Sequence, residues 1–276
     1  MINGNLINEI WESAEAKKPL PEKFTDVLEI DYKDLHEIFY ENKEVKFRQI
    51  VDRLIDGSFL LVRNAFSNQE VSYIKKAMLK LQEESESRFF KMDGLIPDFW
   101  RDITAEHSHK YGVPVIKKSA YFFPWNSQKE LFELIYERWR IFKVLGGKDA
   151  LFAEKKTPVD GLVDRIQVVQ YPSGSGYLAG HQDPFHNQRL FISGYMSKPG
   201  EDFSGGGFWA MNSKDEKVLL EDFVNVGDMG AGYARIIHGV NTIEGDVGSM
   251  RWFLGLYTND SDLVKNRRTL EAPKGL

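Results

Sequence analysis

The sequence predicts an α+β chain, helices first and then a mainly β core of the sandwich or barrel kind, with no linker dividing it. Three observations predict this. The first 56 residues carry apolar groups at helical spacing, near Leu6–Glu15 and Val45–Ile55. From Asp164 onward, short apolar runs alternate with Gly, Pro, Asn and Asp. No low-complexity tract or composition break separates the two halves.

The elements follow in order. The helices of segment 1–56 read as an extension that completes a core, with a polar stretch holding Pro19 and Pro21 between them. Ser58–Val62 follows Gly57 as a short apolar run, hence a strand. Ser67-Asn68-Gln69-Glu70 has the spacing of a capping box, so a helix should run from there to about Glu86. Ser127-Gln128-Lys129-Glu130 repeats the device before a helix to about Val144, which Gly146-Gly147 would stop. Between these helices, roughly Phe89–Trp125 is rich in aromatics and prolines and reads as an irregular lid. The strand candidates beyond are Arg165–Tyr171, Arg189–Met196, Gly207–Met211, Ala234–His238 and Arg251–Thr258.

Composition excludes several classes. Of 276 residues, 42% are hydrophobic and 28% charged, as in ordinary globular proteins. The net charge of −5 offers no basic stripe for nucleic acid. No apolar run is long enough to cross a membrane. The N-terminal stretch has no apolar h-region, so the expected location is cytoplasmic. There are no cysteines, which removes disulfides, iron–sulfur clusters and thiol nucleophiles. Any metal must be held by His, Asp, Glu, backbone or water.

His181-Gln182-Asp183 is the arrangement with most chemical content. In an extended segment, positions i and i+2 share a side, so imidazole and carboxylate can face one ion. His238 could supply a second nitrogen. Two nitrogens and one carboxylate make the facial triad of non-haem iron sites, which leaves coordination positions open. Alone, HQD is as readily a surface histidine beside an Asp cap. The same ligands can also hold Zn²⁺ or Mn²⁺ in a hydrolase or isomerase. Arg251 begins RWFLGLY, read here as a strand pairing beside the one that carries His238. A fixed guanidinium binds a carboxylate in two-pronged fashion.

Read together, these phrases resemble the Fe(II)/2-oxoglutarate-dependent dioxygenases, in the order of the prolyl 4-hydroxylase-like and phytanoyl-CoA hydroxylase-like branch. The resemblance rests on IQVVQYPSGSGYLAGHQD, RLFISGYMSKPGEDFSGGGF and VGDMGAGYARIIHGVNTIEGDVGSMRW, over about residues 160–258. It implies a double-stranded β-helix (jelly roll, cupin-like) with N-terminal and flanking helices, as one dioxygenase domain spanning 1–276. His181, Asp183 and His238 would hold Fe(II), and Arg251 would bind the distal carboxylate of 2-oxoglutarate. O₂ would be the oxidant and ascorbate an auxiliary reductant. The implied reaction hydroxylates an unactivated C–H bond of a small polar metabolite, releasing succinate and CO₂. Prolyl hydroxylases carry Lys at the distal anchor, whereas Arg251 matches many small-molecule hydroxylases. Asp183 disfavours halogenation, because halogenases replace that carboxylate. A peptidyl hydroxylase and a non-catalytic cupin-like metal module are the alternatives.

Further residues belong to the expected site. Gln167 and Ser249 are assigned to cosubstrate. Arg165, Tyr171, Phe185, Arg189 and Trp209 are assigned to substrate, and His186 to the entrance. Gln167 shares a strand face with Arg165 and Tyr171. Glu106-His107-Ser108-His109 reads as a solvated loop rather than a second metal site. Gly205-Gly206-Gly207 reads as a tight turn before a strand and lacks the phosphate-loop pattern.

Overall fold

The computed structural model describes residues 4–154, 157–158, 161–184 and 186–264. Helices α1 (Gly4–Glu15), α2 (Tyr32–Tyr40) and α3 (Glu44–Ile55) open the chain. α3 places Phe47, Ile50, Val51, Leu54 and Ile55 on one buried face. Segment 1–56 is not wholly helical, however. Strand β1 (Val27–Asp31) lies within it and pairs in parallel with β2 (Phe59–Arg63).

α4 (Asn68–Glu84) starts with the expected capping box: Glu70 N–H donates to Ser67 Oγ, and Ser67 N–H donates to the Glu70 carboxylate. α6 (Lys129–Leu145) is also present, but its N-cap is Gln128 and no side chain caps it. The preceding turn is held elsewhere, because Trp125 Nε1 and Asn126 Nδ2 both donate to the Ile96 carbonyl.

The aromatic stretch 89–125 corrects the expectation of an irregular lid. It contains β3 (Phe99–Ile103), the short helix α5 (Ala105–Ser108) and β4 (Val115–Phe122), and β3 pairs with β4 inside the sheet. His107 and His109 are exposed at α5. Eight strands follow: β5 (Leu162–Pro172), β6 (Tyr177–His181), β7 (Leu190–Tyr195), β8 (Gly205–Met211), β9 (Lys217–Leu219), β10 (Met229–Tyr233), β11 (His238–Glu244) and β12 (Met250–Asp260). The expected strand Ala234–His238 is instead a buried turn, and β11 begins at His238. Gly205–Gly207 is the first part of β8 itself, where positive φ at Gly206 and Gly207 accompanies a register shift against β11. A Cβ on Gly206 would sit 2.0 Å from the Thr242 carbonyl oxygen, so only glycine fits there.

These strands form a double-stranded β-helix. One sheet runs β1-β2-β10-β7-β12-β5-β4, the other β4-β6-β11-β8-β9. β4 is the seam: Lys118–Phe122 pair with β5, while Val115 and Ile116 pair with β6. β5 is buried along nearly its whole length, although it carries Asp164, Arg165, Gln167 and Gln170 among its apolar residues. Helices α1, α2, α3, α4 and α6 add their apolar faces to one core shared with β2, β5, β7, β10 and β12. Trp11 Nε1 donates to the Leu145 carbonyl and ties α1 to the end of α6.

The strand carrying Arg251 is β12, and it pairs with β5 and β7. The expectation that it lies beside the strand of His238 is overturned, since β11 pairs with β6 and β8 in the opposite sheet. Arg251 therefore approaches the interior from the facing wall.

Candidate metal and cosubstrate site

The last residue of β6 and the first of β11 are direct cross-strand partners, and they are His181 and His238. Their ring centroids lie 4.5 Å apart. Asp183 follows two residues after β6, and its N–H donates to the Ala234 carbonyl at 2.9 Å, which fixes the local backbone. His181 Nε2 is 3.3 Å from Asp183 Oδ1, and His238 Nε2 is 3.8 Å from Asp183 Oδ2. The three residues offer ligand atoms within 4.8 Å of one another, the one such cluster among the described residues.

The backbone sets the tautomer of both rings. His181 Nδ1 lies 3.0 Å from the Ala179 carbonyl, and His238 Nδ1 lies 2.8 Å from the Ile236 carbonyl. A carbonyl only accepts, so each Nδ1 carries the proton and each Nε2 presents its lone pair to the shared point. Burial, helped by the neighbouring His181, holds His238 neutral with a pKa of about 4. Burial opposes protonation of His181 too, but the hydrogen bond and charge of Asp183 outweigh it and raise its pKa. Two imidazole nitrogens and one carboxylate suit a divalent first-row metal with open coordination positions.

Arg251 is fully buried. Its Nε donates to both carboxylate oxygens of Glu221, each at 2.9 Å, and Glu221 also accepts from Phe208 N–H. Burial works against the guanidinium charge, but Glu221 outweighs it and raises the pKa. Nη1 and Nη2 remain buried without a hydrogen-bond partner, as does the Tyr195 hydroxyl. Tyr195 is the cross-strand partner of Phe253, whose ring centre lies 5.1 Å from the Arg251 guanidinium carbon. Buried donors without partners are costly. Three of them together fit one carboxylate, and so fit the distal end of 2-oxoglutarate.

A cavity of about 1170 Å³, open mouth included, connects the triad with the facing sheet. Val115, Leu178, Phe208, Val240 and Phe253 form its apolar walls, and Lys117, Arg165, Tyr121, Tyr171 and Tyr257 its polar ones. Arg165 lies between Tyr121 and Tyr257, with its guanidinium carbon 5.0 and 5.6 Å from the ring centres. His186 also lines the cavity, and its Nε2 is 3.2 Å from Asp260 Oδ2.

The other expected residues lie elsewhere. Gln167 is buried between strands, donating to Ser119 Oγ, and does not line the cavity. Ser249 sits in the turn before β12, where its carbonyl accepts from Ser173 N–H. Arg189 turns outward to Glu15, Asn8 and the Gly146 carbonyl. Trp209 packs over Gly180 and Gly239, while its neighbour Phe208 faces the cavity. Phe185 lies outside the described residues. Sequence reasoning missed Lys117, Tyr121, Tyr195, Glu221 and Tyr257. Tyr195 stood inside the quoted phrase RLFISGYMSK, so its position was available there; the others depend on strand register.

No family model matches this sequence. No curated protein matches it either. Among solved structures, the chain is similar to a Trichoplax adhaerens prolyl hydroxylase in complex with a hypoxia inducible factor oxygen degradation domain peptide fragment. Identity is 15%, coverage is 80% of this chain and 92% of that one, and the TM-score is 0.52. It is also similar to a full-length Neurospora crassa protein in complex with alpha-KG and thymine, with 14% identity, 87% of each chain covered and a TM-score of 0.52. At such identities the likeness is one of fold.

Proposed function

We propose that the chain is an Fe(II)- and 2-oxoglutarate-dependent oxygenase that hydroxylates a C–H bond of a small-molecule substrate. The observation that carries this reading is the triad together with a buried cation directly behind its cavity: the Arg251 guanidinium carbon lies 5.6 and 5.1 Å from the rings of Tyr171 and Phe253, which line the cavity. One sheet supplies two Nε2 lone pairs and a carboxylate; the other carries the unpartnered donors of Arg251 and Tyr195. Neither half alone would distinguish an oxygenase from a structural metal site. The similar structures add support, because the Neurospora protein was seen with alpha-KG.

His181, Asp183 and His238 would hold the iron. Iron bound there, with 2-oxoglutarate and O₂, supplies the oxidising chemistry, releasing succinate and CO₂. The protein's share is geometric and electrostatic. Arg251 and Tyr195 would hold the distal carboxylate, and Glu221 would fix the guanidinium so that Nη1 and Nη2 point inward. Phe191 and Phe208 pack on the His238 ring, with centroids 4.4 and 5.8 Å away, and exclude water from it. Tyr171 and Arg165, on the β5 face of the cavity, would contact cosubstrate or substrate. The triad side chains are at most 17% exposed, which supports a compact substrate over a protein surface.

The test is anaerobic visible absorption of the purified protein, titrated with Fe(II) and then 2-oxoglutarate. A weak charge-transfer band that needs both is expected. It should fade at limiting 2-oxoglutarate in the double variant Arg251→Gln/Glu221→Gln. Well-folded protein with no band would overturn the reading.

A further inference from the structure

Asn259 carries a buried acceptor that nothing in the cavity answers. It lies on β12 at the same parity as Arg251, Phe253 and Tyr257, and it lines the cavity with the last two. Its Oδ1 is buried without a hydrogen-bond partner, and among the described residues its Nδ2 has none either. An amide oxygen withdrawn from water is seldom left so, because the hydrogen bond lost to water is not replaced.

The next residue, Asp260, fixes this end of β12 to the loop that leaves the triad. His186 Nε2 lies 3.2 Å from Asp260 Oδ2, and Asn187 Nδ2 donates to Asp260 Oδ1 at 2.7 Å. Both His186 and Asn187 follow Asp183 closely in the chain and line the same cavity. Asn259 is thus held beside the loop of the triad, at the end of the strand opposite Arg251 and its cosubstrate anchor.

A carboxamide offers one acceptor and one donor side by side in a plane. Its complement presents a donor and an acceptor in the same way, as a primary amide or a lactam does. A ketone or a carboxylate lacks the donor, and an ammonium lacks the acceptor. Lys117 and Arg165, the cations of the cavity wall, have interactions of their own, so the wall calls for no anion. The apolar walls formed by Val115, Leu178, Val240 and Phe253 suit an aliphatic body attached to the amide.

We propose that the substrate carries an amide edge, N–H beside C=O, on an aliphatic body, and that Asn259 binds this edge in two-pronged fashion and so selects which C–H bond faces the metal. This rests on the oxygenase reading.

The experiment compares hexanamide with 2-heptanone, probes of nearly equal shape of which only the first has the N–H donor. Binding is measured by anaerobic isothermal titration calorimetry with Fe(II) and 2-oxoglutarate present. An amide is harder to strip of water than a ketone, so a preference for it requires partners in the cavity. Hexanamide should bind about tenfold tighter than 2-heptanone to the wild type. In Asn259→Leu the preference should vanish, with the Fe(II)/2-oxoglutarate band unchanged. Hexanamide binding no tighter than 2-heptanone in the wild type would leave Asn259 to water and overturn the proposal, and that comparison needs no variant to fold. A preference that survives Asn259→Leu would also overturn it. Absence of the band in the wild type would instead sink the oxygenase reading, and the ratio of the two probes measured without iron would still judge Asn259.

Discussion

Arg251 and Glu221 form a closed pair in the interior: Nε donates to both carboxylate oxygens at 2.9 Å, with neither residue more than 1% exposed. The pair neutralises itself, yet Nη1 and Nη2 stay available for a second carboxylate. Removing one member strands a buried charge, which typically costs about 3–5 kcal/mol, whereas replacing both by apolar groups is often near neutral. Arg251→Met should therefore lower stability in urea far more than Arg251→Met/Glu221→Met does. The double variant should fold and still fail to bind 2-oxoglutarate. Equal losses of stability in the two would show that the pair is not the unit described.

Asp183 is the only carboxylate of the triad, and it is partly exposed. Asp183→Ala should leave the far-ultraviolet circular dichroism of the metal-free protein unchanged. It should abolish both the thermal stabilisation by Fe(II) and any succinate release. A thermal shift with Fe(II) that persisted in this variant would place the metal elsewhere.

Asp98 carries a pH dependence of its own. Burial pushes its pKa up to about 6, against hydrogen bonds from Asn126 Nδ2 and Phe123 N–H. Its folded pKa lies above the unfolded one, so between about pH 4 and pH 6 the folded state binds more protons. Stability contributed by this residue is thus highest below pH 4 and falls as the pH rises through 6, by about 1–3 kcal/mol. Asp98→Asn should flatten that slope and raise the melting temperature at pH 7.5. An unchanged slope would count against it.

Arg189 works as a tether. It joins the loop before β7 to Glu15 and Asn8 of α1 and to the end of α6. Arg189→Met should cost about 1–3 kcal/mol and speed limited proteolysis near α1, with 2-oxoglutarate affinity unaltered. Weakened cosubstrate binding would instead give Arg189 a part in the site.

The legible parts of the sequence were those where chemistry is written locally. His181 and Asp183 stand two apart in an extended segment, and the Ser67 box caps its helix as its spacing implies. The same Ser-x-x-Glu spacing at Ser127 forms no box, because Trp125 and Asn126 are already fixed to Ile96. The run Ala234–Ile237 reads as a strand from its Ala and two Ile; it is a turn, with Ala234 and Ile236 buried, that leads into β11 at His238. Arg251 was recognisable, but not its wall of the barrel, since strand pairing across intervening elements leaves no local trace. Lys117 and Glu221 were invisible for the same reason, each being an ordinary charged residue until register turns it inward.

β12 fills the slot between β5 and β7. During synthesis both of those strands are made first, and each keeps an unpaired, apolar edge until β12 has left the ribosome. Such edges recruit other chains, and closure across so much intervening sequence is slow. The nascent protein thus spends its most aggregation-prone interval as a barrel lacking one stave. A chaperone that shields sheet edges should therefore raise the yield of native protein.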